Sequence, residues 1–306
     1  MTKEFLMLLE QMKMFFILIA AGMTFQRLGL VSDENIDGFA LVNIRVITPV
    51  MLITVISKGS REDMSNMLPF LICGLSAMLI SLGIAYISGK AFRIAQPTRN
   101  IHTAVAGLGN GAMVGYPLLL SIFPEKAHLA IAVYAIVDAF IVWTAVPILA
   151  DPKGRVNLRK LINPITVSAF IGLAMMLMNI RPKNIAWDTL TEFGGTVKYA
   201  SLLYIGMDIG RKGIKRIFGR PIVLSVIPVR LILTPAVIFL IIGAVNVLSR
   251  EFMMMLLVLS MTPSVMCITM VARTMGSDDD YATGAMISTT ITSLLTIPLM
   301  MRFIGL

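Results

Sequence analysis

The sequence predicts an all-α membrane protein in which ten transmembrane helices form two inverted five-helix repeats. Three observations lead to this prediction: the chain is 57% hydrophobic and only 14% charged, its apolar residues fall into ten long runs, and prolines recur at one fixed offset. Soluble globular domains carry about 25% charged residues, and a single soluble core stops growing at roughly 250–300 residues. A soluble enzyme, a disordered protein and a disulfide scaffold are therefore excluded, and a polytopic helical membrane protein remains.

A helix needs about 20 apolar residues to cross the hydrocarbon core of a bilayer. Ten stretches of the chain approach or exceed that length. The seventh stretch is the weakest, because it contains Glu192 and Lys198. We predict the spans at Leu8–Leu28, Ile36–Ser57, Leu68–Ala91, Ile101–Phe123, Ala127–Ala150, Ile162–Ile180, Thr189–Ile209, Pro221–Leu248, Phe252–Met275 and Tyr281–Phe303.

The net charge of +9 indicates an orientation in the membrane rather than a nucleic-acid partner. The most basic loops, 92–100, 151–161 and 210–220, follow the third, fifth and seventh spans and therefore lie on one side. Lys and Arg accumulate in cytoplasmic loops, so both termini are expected outside a plasma or inner membrane. His102 is expected at the membrane interface. The cysteines and histidines lack the spacing of a zinc site, and neither a metal nor another cofactor is expected.

The inverted repeat depends on an offset of 151 residues. This offset relates Pro147, near the end of the fifth span, to Pro298, near the end of the tenth. It also carries Gly109-Asn110-Gly111 onto Ser260-Met261-Thr262, which lies beside a proline. Five spans per repeat is an odd number, so the second copy is inverted in the membrane. We predict repeats at 1–150 and 161–306, joined by a short cytoplasmic linker at 151–160.

The repeat relates two predicted helix breaks, in the fourth and ninth spans. Four glycines and a proline fall within 107–117, and Asn-Gly is a strong turn dipeptide. Thr-Pro-Ser makes the matching break in the ninth span. Close helix contacts at glycine and a simple proline kink are the structural alternatives. A broken helix at membrane depth lines a cavity or is buried in protein, so we expect a binding site here. Its predicted residues are Asn110, Gly111, Pro117, Thr262, Pro263 and Ser264.

Motifs at these breaks and beyond them point to one family. Asn110 lies in Gly-Asn-x-x-x-x-Gly-Tyr-Pro-Leu, and Met-Thr-Pro-Ser occupies 261–264. Ser-Thr-Thr-Ile-Thr-Ser-Leu-Leu-Thr-Ile-Pro-Leu occupies 288–299, and Val-Ile-Thr-Pro-Val-Met-Leu occupies 46–52. With these motifs the chain resembles the auxin efflux carrier family over essentially its whole length.

The resemblance implies a fold and a function. It implies two inverted five-helix repeats, whose fourth and ninth helices cross as broken pairs, and a relation to the bile-acid/sodium symporter fold. It also implies alternating access of the elevator type, with malonate, malate or an auxin-like acid as the substrate. The short loop at 151–160 favours a compact microbial member. Gly111 stands where a hydroxyl residue often follows the asparagine of the family.

Four charged residues fall inside the spans: Arg45, Lys198, Arg230 and Asp138. Charges at membrane depth are costly and are by default candidates for function. Arg45 and Lys198 lie on spans that the repeat relates, where two cations would attract an anion. Alternatively, each pairs with a carboxylate or reaches the interface. Asp138 is either a proton-coupling carboxylate or the fixed counter-ion of Arg45 or Arg230. Arg230 ranks below Arg45 and Lys198 as a candidate, because pairing with a carboxylate would be enough to explain it.

The sequence therefore predicts a secondary transporter for a small organic anion, and not an enzyme. Half-helix N-termini offer free N–H groups to a carboxylate, and no base–nucleophile pair or phosphate loop competes with this interpretation. Coupling is either absent or uses protons through Asp138. A sodium-coupled carrier of the bile-acid type and a membrane sensor that binds without transport are the alternatives. The expected partners are the anion and the lipid bilayer, and a homodimer is compatible with the sequence.

Overall fold

The computed structural model describes residues 3–59, 65–151, 162–213 and 220–304. These residues are almost entirely helical, and the only strand-like pairing among them is one isolated bridge. Apart from Asp151, the predicted linker at 151–160 lies outside the described residues. All four basic residues of the linker, and two of the five at 210–220, therefore also lie outside the described residues.

Helices in the described part of the chain are labelled α1 to α13. Their bounds are α1 Lys3–Arg27, α2 Asp33–Ile56, α3 Met67–Ala91, α4 Thr98–Gly107, α5 Gly111–Ile122, α6 Ala127–Ala150, α7 Pro164–Leu177, α8 Ile185–Gly195, α9 Val197–Lys212, α10 Pro221–Val245, α11 Arg250–Ser260, α12 Cys267–Thr274 and α13 Asp279–Ile304.

Each predicted span coincides with one helix or with two consecutive helices. The fourth span is shared by α4 and α5, and the ninth by α11 and α12. Among the described residues, five helices are long and apolar enough to cross a membrane: α2, α3, α6, α10 and α13. The helices α5 and α7 are apolar but shorter. The 14 residues of α7 extend only about 21 Å at 1.5 Å per residue.

The seventh span differs from its prediction. The sequence predicts one helix over Thr189–Ile209, whereas the structure contains α8 and α9, which meet at Thr196. The helix α8 begins earlier than predicted, because Asn184 caps its N-terminus. The side-chain Oδ1 of Asn184 accepts a hydrogen bond from the main-chain N–H of Trp187 at 2.9 Å. Gly194-Gly195 precedes the break, and glycine is a poor helix former. This glycine pair accounts for the interruption.

Two long helices each contain a π-helical turn, Asn43–Ile47 in α2 and Val229–Leu233 in α10. A Thr-Pro dipeptide follows each turn directly. Proline has no N–H group to donate to the α-helical ladder. The main-chain amide of the threonine before it donates to the carbonyl oxygen five residues earlier, as in a π-helix. Each turn carries an arginine, Arg45 or Arg230. Single π-helical turns frequently occur at functional sites.

The helices form two compact units. The first unit comprises Met1–Leu68, Ala112–Ala139 and Ile162–Gly213. Within it α1 packs along α9 at Gly22, where a Cβ atom would overlap the carbonyl oxygen of Leu203. Glycine therefore permits this close approach of the two helices. The side chain of Asn43 in α2 donates to Ser201 Oγ of α9 at 2.9 Å.

The second unit comprises Pro69–Gly111, Phe140–Leu161 and Ile214–Leu306. In this unit α13 packs against α4, α10 and α12. Its first turn contains two acidic residues, and the carboxylate of Asp278 accepts the main-chain amide of Tyr281 at 3.0 Å. Acidic groups at a helix N-terminus interact favourably with the helix dipole. Both predicted helix breaks begin in this unit, so it contains the greater part of the candidate site.

Candidate functional site

The break in the fourth span lies between Gly107 and Gly111. Leu108 has an extended backbone, with φ −112° and ψ 128°, and ends α4. The chain resumes at Gly111 with a π-helical turn, Gly111–Gly115, which forms the first part of α5. Pro117 is buried in the first α-helical turn after this π-helical turn, where its missing N–H is tolerated. The predicted break is therefore present, and Asn110 rather than Pro117 lies within it.

The break in the ninth span lies between Ser260 and Cys267, the end of α11 and the start of α12. It contains Thr262, Pro263 and Ser264, as predicted. All three are buried, and Asn110 of the first break is also buried.

The two breaks are hydrogen-bonded to each other. The main-chain amide of Asn110 donates to the carbonyl oxygen of Pro263 at 2.7 Å, and that of Val265 donates to the carbonyl oxygen of Leu108 at 3.1 Å. Together they form an isolated antiparallel bridge between Gly109 and Ser264. Buried peptide groups require partners, and each break provides partners for the other. We call this pairing the crossing.

Hydroxyl groups at the crossing hold its framework. Ser264 Oγ donates to the carbonyl oxygen of Val105 at 2.7 Å, and Thr262 Oγ1 donates to that of Leu259 at 2.7 Å. Thr289 of α13 accepts the main-chain amide of Ser264 at 3.1 Å. A hydroxyl has one hydrogen to donate, so Ser264 and Thr262 direct their hydrogens to the main chain.

Arg230 lies directly at the crossing. Its Nε donates to the carbonyl oxygen of Thr262 at 2.9 Å, and its Nη1 donates to that of Gly107 at 3.0 Å. Nη1 is also 3.1 Å from Ser81 Oγ, which in turn donates to the same Gly107 carbonyl at 2.6 Å. Main-chain oxygens of both breaks thus accept hydrogen bonds from the guanidinium, a role at the crossing that the sequence did not predict.

Glycine is required where the guanidinium approaches the main chain. A Cβ atom on Gly109 would overlap Nη2 of Arg230 and Oγ1 of Thr262. A Cβ atom on Gly107 would lie 2.7 Å from Cδ2 of Leu82 in α3. Real Cβ atoms essentially never approach other heavy atoms within 3.0 Å. The glycine-rich sequence of the fourth span thus serves close packing as well as the turn.

A model of the membrane transport protein family matches the sequence twice, at residues 7–155 and 153–301. The chain belongs to this family. The transporter is therefore an integral membrane protein that acts on a transported substrate, and its family is not one of enzymes. The resemblance to the auxin efflux carriers is confirmed at the level of the family. Among curated proteins, none matches the sequence.

The remaining predicted site residues of the transporter belong to the first unit. Arg45 lies halfway along α2, and its side chain is exposed. Lys198 is half-buried near the start of α9, with Nζ 5.0 Å from the ring centroid of Tyr199. Asp138 is half-buried in α6 and interacts electrostatically with Tyr116. The structure thus brings Asn110, Gly111 and the Thr-Pro-Ser segment together in one unit, and these charged residues lie in the other.

A polar cluster of the second unit was not predicted. His102 is fully buried. At the start of α13, the carboxylate of Asp278 accepts hydrogen bonds from Thr98 and, at 2.8 Å, from Arg220. Burial alone would raise the pKa of Asp278, but these bonds and the Tyr281 amide lower it below its ordinary value. This cluster links α4, α10 and α13.

Among the described residues, no cluster of three or more His, Cys, Asp or Glu side chains could hold a metal ion. The most important residues that sequence reasoning missed are Ser81 and Arg230. Arg230 carried a signal, because it is a charge inside a predicted span. The sequence contains no such signal for Ser81, since serine is common at contacts between membrane helices.

Proposed function

We propose that the transporter moves a small organic anion by elevator-type alternating access, with its binding site at the crossing. A carboxylate such as malonate or malate, or an auxin-like acid, is the expected substrate. The observation that carries the proposal is the hydrogen-bonded pairing of the two broken helices through Asn110 and Pro263. Transporters of other families place broken helices of this kind at their substrate sites near the membrane midplane.

The polarity of the crossing favours an anion. The helices α5 and α12 begin directly after the two breaks, at Gly111 and Cys267. Helix N-termini carry partial positive charge and free N–H groups. The opposite ends, at Gly107 and Thr262, are already bonded to Arg230. Arg230 thus neutralises the negative ends at the crossing, and the partial positive charge at the starts of α5 and α12 favours an anion.

In this proposal Asn110 and the first amides of the half-helices bind the carboxylate. Pro117 and Pro263 have no N–H group, so neither residue can donate a hydrogen bond to a helical ladder. Thr262 and Ser264 hold the framework, since their hydrogens are directed to main-chain carbonyls. Arg45 and Lys198, both in the first unit, remain proposed anion-binding residues on the grounds of their charge alone. An exposed arginine halfway along a span is consistent with a water-filled opening, where membrane proteins usually place such charges.

The proposed topology has ten spans in two inverted repeats, at 1–150 and 161–306, with both termini outside the cell membrane. The observed helices support it, because each predicted span coincides with one helix or a consecutive pair. Alternating access would carry the crossing, with its bound anion, from one side of the membrane to the other.

The test is uptake by proteoliposomes of radiolabelled malonate, malate and indole-3-acetate. We expect accumulation of at least one of these anions, and its loss in Asn110→Ala. The matched control is Asn35→Ala, which removes an exposed asparagine of α2. Accumulation of none of the anions would contradict the proposal. Equal uptake by wild type and Asn110→Ala would contradict the proposed site.

A further inference from the structure

The guanidinium of Arg230 is buried where two half-helices end. Arg230 belongs to the π-helical turn of α10 and is 2% exposed. It bonds to the carbonyl oxygen of Gly107, the last residue of α4, and to that of Thr262, two residues beyond the end of α11. One positive group is therefore shared by the C-terminal ends of both half-helices.

These ends carry negative partial charge. Aligned peptide dipoles place roughly half a negative charge at the C-terminus of a helix. Two such ends that converge on one buried point repel each other, and a low-dielectric interior screens this repulsion poorly. A positive charge at that point removes the repulsion. Arginine supplies it permanently, because the guanidinium does not lose its proton in proteins.

The oxygens around the guanidinium are of the kind that binds a small monovalent cation. Two are the carbonyl oxygens of Gly107 and Thr262. Two are hydroxyl oxygens: Ser81 Oγ lies 3.1 Å from Nη1, and Thr262 Oγ1 lies 3.5 Å from Nη2. In transporters with broken helices, unwound carbonyls and half-helix C-terminal ends coordinate sodium. In this protein an arginine side chain occupies such a set of oxygens.

We propose that Arg230 is a built-in substitute for a coupling cation, with its guanidinium in the position where a sodium ion would otherwise join the two half-helix C-termini. The crossing is then complete without a bound metal ion. Wild-type protein needs no sodium for its stability or for anion flux. Arg230 is a positioning residue, because it acts on the anion through the crossing. The statement about flux rests on the proposed function, whereas the statement about stability does not.

The first test is the thermal stability of purified Arg230→Ala. This variant leaves an uncharged space beside four oxygens, which a free guanidinium or sodium ion can fill. Ligands that bind only the folded state raise its melting temperature. We expect low-millimolar guanidinium, or sodium in place of choline at equal ionic strength, to raise the Tm of Arg230→Ala by about 2–4 °C. Wild type and Arg302→Ala, which loses an exposed arginine of α13, should not respond.

A second pair of variants separates charge from packing. Arg230→Lys keeps the positive charge and loses the planar fork, whereas Arg230→Gln keeps hydrogen-bonding capacity without charge. We expect Arg230→Lys to melt at a higher temperature than Arg230→Gln. The reverse order, or equal melting temperatures, would overturn the proposal. The comparison of Arg230→Lys with Arg230→Gln tests the proposal even if Arg230→Ala does not fold. If Arg230→Ala folds but its melting temperature responds to neither guanidinium nor sodium, the proposal is also overturned.

The flux test uses wild-type proteoliposomes with sodium or choline outside. Equal anion uptake in the two salts supports a permanently filled cation site, and uptake that requires sodium overturns it. In Arg230→Ala we expect loss of uptake and partial recovery with guanidinium or sodium. If wild type transports none of the tested anions, the proposed function fails, and the stability measurements still determine the role of Arg230.

Discussion

Nδ1 of His102 lies 2.7 Å from the hydroxyl oxygen of Tyr281. On the other side of the ring, Nε2 lies 2.8 Å from Ser88 Oγ, whose hydrogen is donated to the carbonyl oxygen of Ala85 at 2.8 Å. Each ring nitrogen of His102 thus has a hydroxyl partner, and the tautomer decides which nitrogen donates and which accepts. These contacts join α3, α4 and α13 through buried side chains.

Removing the Tyr281 hydroxyl should destabilise the transporter. In Tyr281→Phe the buried Nδ1 atom of His102 loses its hydrogen-bond partner, and an unsatisfied buried polar group costs about 1–3 kcal/mol. We expect a lower melting temperature, measured by thermal unfolding in detergent. The control is Tyr199→Phe, because the Tyr199 side chain is 50% exposed. Equal melting temperatures of the two variants would contradict the assigned hydrogen bond.

A side chain at Gly109 should prevent the crossing. The methyl group of Gly109→Ala would overlap the guanidinium of Arg230 and the hydroxyl of Thr262, so one of them must leave its partners. We expect a large loss of stability and of anion uptake. Gly38→Ala is the matched control, because a Cβ atom there has no neighbour within 4 Å. It should leave uptake intact and, as a glycine replacement within a helix, add up to about 1 kcal/mol of stability. Comparable effects of the two substitutions would contradict the close approach at the crossing.

The Asp278 cluster predicts a defined pH dependence of stability. Because the pKa of Asp278 is lowered in the folded state, its carboxylate stabilises the protein above its unfolded pKa, and this contribution is lost as the pH falls through the folded value. Asp278→Asn should therefore melt below wild type between about pH 5 and 8, and the difference should shrink below about pH 4.

The measurement is the melting temperature of both proteins across this pH range. Asp188→Asn, which alters an exposed aspartate of α8, should follow wild type throughout. A difference between Asp278→Asn and wild type that grows as the pH falls would contradict the sign of the shift.

Coupling through Asp138 predicts a response to a proton gradient. If this carboxyl carries the coupled proton, Asp138→Asn keeps anion exchange at equal pH on both sides and loses stimulation by a pH gradient. The comparison is made in proteoliposomes with and without the gradient, and Glu192→Gln, which alters an exposed acidic residue of α8, serves as the control. Wild-type uptake that does not respond to the gradient would show that Asp138 has no coupling role.

The positions of both helix breaks were predictable because their causes are local. Asn110-Gly111 and Thr262-Pro263-Ser264 contain the turn chemistry that interrupts a helix, and the structure breaks at both. The interruption at Thr196 also had a local signal, the preceding Gly194-Gly195, which is weaker because glycine is common in membrane helices. Local chemistry thus defines where a helix stops.

The role of Arg230 was not predictable from the sequence, because the groups that it joins at the crossing are main-chain carbonyls. Every residue has a carbonyl oxygen, so no residue type marks Gly107, which lies 123 positions away, as a partner. The contact of His102 with Tyr281 was not predictable for a related reason, because the two residues lie 179 positions apart in the sequence. Residue types indicate which side chains are unusual, and only the fold shows what they contact.

The bridge between Gly109 and Ser264 has a consequence for how this protein can diverge. If either half of the chain regained an uninterrupted helix at this point, the peptide groups of the other half would be left buried and unsatisfied, at a cost of about 1–3 kcal/mol for each lost bond. A change that straightens one helix is therefore tolerated only if the other is straightened as well. The two interruptions, 155 residues apart, can therefore only be retained together or lost together as the sequence diverges.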